Sequence, residues 1–163
     1  MLHTLITSAD RAGSIASGLD PTFVPKAVVS IGDVGNPDPY WWGNVTVPKL
    51  RLCFDDITGP HSWYQAPSRR DALQIVAFLA AHPDVPMLIH CGMGVSRSSA
   101  VGYLRLAMMY LGTEEPIQAR LDEQVREAAD LGLRSDYAIH PNSLLVQYGL
   151  RAIARRERAT LRT

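Results

Sequence analysis

Residues 87–99 read Met-Leu-Ile-His-Cys-Gly-Met-Gly-Val-Ser-Arg-Ser-Ser, and no other stretch restricts the fold as strongly. The apolar run from Met87 to His90 has the composition of a buried strand. Gly92 and Gly94 then break it. From about Ser96 to Leu111 the chain is apolar almost all round, which is the pattern of a central, buried helix. A buried strand passing through a tight loop into a buried helix is the building unit of parallel sheets covered by helices. An α/β fold is therefore expected, a central, mostly parallel sheet flanked by helices.

The rest of the chain agrees. Two further short, β-branched-rich runs read as buried strands, Ala27 to Ile31 and Leu50 to Phe54, with Leu2 to Thr7 a weaker one. The segment Gly32 to Gly43 is rich in glycine, proline, asparagine and aspartate and reads as a long loop. Its Tyr40-Trp41-Trp42 cluster is read as a lid over the core, with a partner surface as the alternative. Ser68 can cap a helix running to about Ala81, with Leu73, Val76, Ala77 and Ala80 on its apolar face. Thr113 can cap a third helix whose first turn holds Glu114 and Glu115, where acidic side chains suit the helix dipole. Another helix begins near Pro141, a residue that fits the first turn, and extends through Leu150. The end of the chain, 151–163, carries five arginines against one glutamate and reads as a solvated, frayed helix end.

Length and charge narrow the function classes. A chain of 163 residues without an internal linker or repeat is expected to form one domain, 1–163. Sixteen basic and sixteen acidic residues cancel, so no net charge draws the chain to nucleic acid or to an anionic membrane. No apolar run reaches the about 18 residues of a membrane span, and Met1 to Gly13 lacks the pattern of a secretory signal. Two cysteines, Cys53 and Cys91, make neither a disulfide framework nor a cysteine-rich zinc site. His61, His82 and His140 lack metal-ligand spacing, and Met93 and the Met108-Met109 pair read as loop surface and core. No metal and no cofactor is expected, and the location expected is cytoplasmic. Oligomeric state leaves no trace in the sequence. Fourteen arginines against two lysines are the pattern of a GC-rich, bacterial coding sequence.

The chemistry sits in the glycine loop. Backbone N–H groups of a tight loop at a helix start form an anion-binding concavity, reinforced by the helix dipole. Gly92 and Gly94 permit backbone conformations and close approach that side chains would block. Arg97 adds a planar fork able to grip two oxygens of a phosphate. The expected cradle is thus Gly92, Met93, Gly94, Val95, Ser96 and Arg97. Cys91, at its mouth, should have its thiolate stabilised by those donors and its pKa lowered. A thiolate facing a bound phosphate is a nucleophile aimed at phosphorus.

The pattern His90-Cys91, five residues, Arg97, then Ser98 resembles the signature of the cysteine-dependent protein tyrosine phosphatases. Its inner run, Cys-x-x-Gly-x-Ser-Arg-Ser, is most similar to the dual-specificity branch. That resemblance implies a phosphoric monoester hydrolase working through a phosphocysteine intermediate on a phosphorylated protein or a small phosphate ester. It also implies a general-acid aspartate. Leu50-Arg-Leu-Cys-Phe-Asp-Asp-Ile57 looks like the strand and loop that carry it, and alignment selects Asp56, 35 residues before Cys91, over Asp55. His61 is the next candidate. Ser98 matches the hydroxyl that assists departure of the thiolate when water hydrolyses the intermediate. His90 matches the motif histidine, whose implied task is to organise the loop by hydrogen bonds. Some relatives protect an oxidised cysteine with a second one, for which Cys53 is the candidate partner; otherwise Cys53 reads as a buried strand thiol.

The resemblance is specific from about Leu50 to Leu111, faint at His140-Pro-Asn-Ser-Leu-Leu-Val, where it is similar to the final helix start, and absent before Ala27. The Trp-Pro-Asp, phosphotyrosine-recognition and glutamine loops of the larger tyrosine-specific enzymes are not present, so pocket depth and ester preference stay open. Two other readings stand beside it. One is a rhodanese-like or arsenate-reductase-like cysteine enzyme, against which the Cys-to-Arg spacing and the position of Cys91 past mid-chain both count. The other is a non-catalytic module that reads phosphorylated ligands; such modules usually lose the cysteine, the arginine or the acid, and all three stand here.

Overall fold

The computed structural model describes residues 2–113, 116–134 and 138–161. Four strands form one all-parallel sheet in the order β1 (Thr4–Ser8), β4 (Met87–Cys91), β2 (Ala27–Gly32), β3 (Lys49–Cys53). Among the described residues five α-helices cover it: α1 (Ala9–Ala16), α2 (Arg69–Ala81), α3 (Arg97–Met109), α4 (Ile117–Asp130) and α5 (Ser143–Thr160). The fold class is the one expected from the strand–loop–helix unit.

Alternation along the strands sorts two cores. Ile6, Val29, Ile31, Leu52, Ile89 and Cys91 share a cluster with α2, α3 and α5. Leu5, Val28 and Leu88 face the other way, into a smaller cluster with Ala12 and Ile15 of α1 and with Trp41. Trp41 is 2% exposed and closes that smaller core as a lid, whereas Tyr40 beside it is 90% exposed.

α3 is buried on nearly its whole circumference, from Arg97 through Ala107 apart from Tyr103. α2 starts in a capping box, the Ser68 hydroxyl accepting from the Asp71 N–H while the Asp71 carboxylate accepts from the Ser68 N–H. Its buried stripe is Ala72, Ile75, Val76 and Leu79, and Leu73 and Ala77 face solvent. The expected face is thus rotated by one residue. Both stripes satisfy helical spacing, and packing against the sheet selects the one with the larger branched side chains.

Other expectations are corrected by local geometry. Thr113 does not cap α4; its hydroxyl donates to the Tyr110 carbonyl in the turn that closes α3. α4 starts at Ile117 after Pro116, and Glu114 and Glu115 lie outside the described residues. Pro141 precedes the cap of α5, which is Asn142, its side-chain oxygen accepting from the Leu145 N–H. α5 runs on as helix through Thr160 because Ala152 and Ile153 are buried against the core, so 151–160 is not a frayed end. α1 was not expected at all; Gly13 lowers its propensity, and only the burial of Ala12 and Ile15 holds it.

Among the described residues no helix is long and apolar enough to cross a membrane.

Candidate active site

A parallel sheet points all its strand ends one way, and the loops leaving those ends converge. Here the segments after β2, β3 and β4 bring Asp33, Asp56 and the loop 92–96 to one edge, although 64 residues separate Asp33 from Arg97 in the chain.

The loop is held from outside by its carbonyls. The Gly92 carbonyl accepts from the Ala9 N–H at 3.1 Å, Val95 from the His140 N–H at 2.9 Å, and Ser96 from the Asn142 N–H at 3.2 Å. The Ser99 hydroxyl also donates to the carbonyls of Val95 and Ser96. Among the described residues none of the N–H groups from Gly92 to Arg97 donates to another protein group. Gly94 makes the curvature possible. Its φ is +76°, and a Cβ there would lie 2.5 Å from the Thr7 carbonyl carbon of β1. Met93 stands on the rim, 76% exposed.

Arg97 opens α3 and is 6% exposed. One of its terminal nitrogens donates to Asp33 Oδ1 at 2.6 Å and to the Phe54 carbonyl at 2.8 Å. The other terminal nitrogen lies close to Gly92. Cys91 is buried, its sulfur 3.1 Å from the Ser98 hydroxyl.

The adjacent aspartates diverge, as side chains at the end of a strand must. The Asp55 carboxylate turns away from the loop and accepts from the N–H groups of Gln65 at 2.7 Å and Val34 at 3.3 Å. Asp56 reaches the loop. Its Oδ1 accepts from the Ser96 hydroxyl at 2.6 Å and from the Asn142 side-chain amide at 3.0 Å. His61 instead accepts from the Trp63 N–H in its own loop.

His90 points to the opposite sheet face from Cys91 and packs 5.3 Å from the Trp41 ring. Its ring nitrogens make no hydrogen bond of good geometry, and its one polar contact is with the Cys91 backbone at the start of the loop. Burial pushes its pKa down to about 4; the Cys91 backbone opposes that shift and nearby Arg51 reinforces it.

The Cys53–Cys91 pairing is also ruled out by register. Ser30 of β2 is matched to Arg51 on one side and to His90 on the other, so Arg51, Cys53 and His90 share a face that Cys91 does not. Two strand spacings, about 9.6 Å, also separate β3 from β4, beyond disulfide reach. Cys53 is half-buried and free.

Sequence reading did not find Asp33 or Asn142. Asn142 left a signal, an asparagine just before a helix; the partnership of Asp33 with Arg97 left none.

No family model matches this chain, and no curated protein does. Solved structures match its fold over nearly the whole length. Human DUSP28 covers 98% of this chain and 96% of its own, at 18% identity and a TM-score of 0.58. Tk-PTP, solved in its active form, covers 93% and 90% at 20% identity, with a TM-score of 0.55. Human tyrosine phosphatase-like serine/threonine/tyrosine-interacting protein covers 99% and 95% at 14% identity, with a TM-score of 0.58. The fold is that of the dual-specificity and protein tyrosine phosphatases.

Proposed function

We propose that this chain hydrolyses phosphate monoesters through a phosphocysteine intermediate. The observation that carries the reading is the run of N–H groups from Gly92 to Arg97, none of which donates to another group among the described residues, directly after Cys91. A dianionic phosphoryl group gains several charge-assisted hydrogen bonds there without rearrangement of the backbone.

The steps follow from the side chains. The Cys91 thiolate attacks phosphorus in line with the ester oxygen; the S–P bond forms as the P–O bond breaks. Arg97 and the loop amides carry the charge that spreads over the equatorial oxygens. The departing alkoxide or phenoxide takes a proton from Asp56, whose Oδ1 is held by Ser96 and Asn142 while Oδ2 has no protein donor among the described residues. Asp56, now ionised, takes a proton from water, and the resulting hydroxide attacks phosphorus. The S–P bond breaks, and the Ser98 hydroxyl, 3.1 Å from the sulfur, donates to the thiolate that leaves.

A binding-only role is the competing reading, since one fold neighbour is described as phosphatase-like. The presence of Cys91, Arg97 and Asp56 together favours the enzyme. Turnover of p-nitrophenyl phosphate by the wild-type chain and by Cys91→Ser tests it. Cys91→Ser is expected to lose turnover to below about a thousandth, while inorganic phosphate still raises its melting temperature, because the run of N–H groups is intact. Retained turnover in the variant overturns the phosphocysteine route. Absence of turnover in the wild type, with phosphate still bound, favours the binding module.

A further inference from the structure

Beside the phosphate loop, on the His90 face of the sheet, lies an open cleft of about 710 Å³. Its lining contains both charge signs, already matched to each other. Asp33 is paired with Arg97 at 2.6 Å, and Asp38 lies 3.5 Å from Arg51. Arg51 is further fixed by donating to the Ser30 hydroxyl and to the Pro37 carbonyl. A second phosphate on a substrate would find the charge of each arginine already compensated by a carboxylate, and Asp10 at the rim. A lysine or arginine side chain would find two of the three carboxylates engaged. A neutral ligand with many hydroxyls meets neither obstacle. Carboxylate oxygens have lone pairs to spare for O–H donors, and guanidinium N–H groups remain for hydroxyl oxygens. Tyr40, 90% exposed on the cleft wall, offers a flat apolar surface to the C–H face of a ring.

We propose that this cleft holds a neutral, hydroxyl-rich ring, so that the alcohol portion of the substrate is a sugar- or cyclitol-like group. The inference rests on the phosphatase reading and names its substrate class. Arg97 and Gly92 line the cleft and also belong to the phosphate loop, so the cleft is continuous with the cradle, and Asp38 and Tyr40 line the same cleft.

The test compares kcat/KM for myo-inositol 1-phosphate and glucose 6-phosphate with that for glycerol 3-phosphate, an acyclic alkyl ester, and with p-nitrophenyl phosphate and a phosphotyrosine tripeptide. At least one ring phosphate is expected to exceed glycerol 3-phosphate by about tenfold or more, the worth of one or two added hydrogen bonds. Asp38→Ala and Tyr40→Ala are each expected to lower the ratio of ring-phosphate to p-nitrophenyl phosphate kcat/KM by about tenfold, chiefly through KM. Calorimetry on Cys91→Ser supplies a readout independent of turnover: the ring phosphate should bind about tenfold tighter than inorganic phosphate. Equal rates for ring and acyclic esters together with equal binding, or variants that depress every substrate alike, overturn the inference. So does a tripeptide that depends on Tyr40 and Asp38 as strongly as the ring esters do. If the wild type turns over nothing yet the ring tightens binding, the cleft assignment stands and the phosphatase reading falls.

Discussion

Asp55 and Asp56 show how one residue of offset decides a role. Asp56 is positioned to give a proton to the leaving oxygen, so Asp56→Asn should lower kcat on alkyl phosphates by about a hundred- to ten-thousandfold. The same change should cost little in kcat/KM on activated aryl phosphates, whose leaving groups depart unprotonated, because kcat/KM reports only the steps up to loss of that group. Asp55→Asn should instead loosen the loop at Gln65 and Val34, lowering melting temperature more than rate. The reverse pattern in kinetics on the two variants would place the acid at Asp55. His90 carries a second prediction at this scale. Its pKa is about 4 in the folded chain against an ordinary 6.5. Between those values the unfolded chain binds a proton that the folded chain does not, so stability is full above pH 6.5 and falls as pH drops toward 4. The loss is up to about 3 kcal/mol, from about 1.4 kcal/mol per pH unit for one proton. Urea melts across that range should show the slope, and His90→Phe should flatten it. An unchanged slope in the variant assigns it to other groups.

Among the elements, the loop between β4 and α3 works because β1 lies directly against it. Gly94→Ala is expected to force a Cβ into the β1 backbone at a position with positive φ, pushing the loop outward. A shift of about 1 Å at a site of this kind costs around a hundredfold in rate, and kcat/KM on p-nitrophenyl phosphate measures it. Near-normal kinetics would mean that β1 yields to the loop. The start of α5 matters in a similar way. Asn142 caps that helix, donates to Asp56 and Ile57, and supplies the N–H that holds the Ser96 carbonyl. One asparagine thus links the last helix, the acid and the phosphate loop.

For the whole molecule, the sheet order β1-β4-β2-β3 puts the strand that carries Cys91 between two neighbours and gives the sheet two unlike faces. The Cys91 face holds the main core, and the His90 face holds the smaller core and the cleft. This separation predicts the response to oxidation. Peroxide treatment followed by mass spectrometry should yield sulfenic or higher oxides at Cys91 and no Cys53–Cys91 disulfide, because the two thiols lie on opposite faces of the sheet. Recovery of that disulfide from the folded protein would require the β3 register to be different.

Local physics alone was enough for much of this molecule. Short β-branched runs, a glycine-broken loop and an apolar helix are each signalled within about fifteen residues, so β2, β3, β4, α3 and the residues of the phosphate loop were legible from the chain. The Ser68 cap of α2 was legible for the same reason, since the N–H it accepts from is three residues on. What the sequence could not specify are relations that cost nothing locally. The rotation of α2 by one residue, the survival of α1 despite Gly13 and the continuation of α5 to Thr160 are decided by which faces find apolar surface to bury. The grip of Asp33 on Arg97, the bond from Asn142 to Asp56 and the opposition of Cys53 and Cys91 depend on strand order and register. Those are set by the packing of distant segments, because side-chain alternation tells which residues share a face of one strand but not which strand lies beside it.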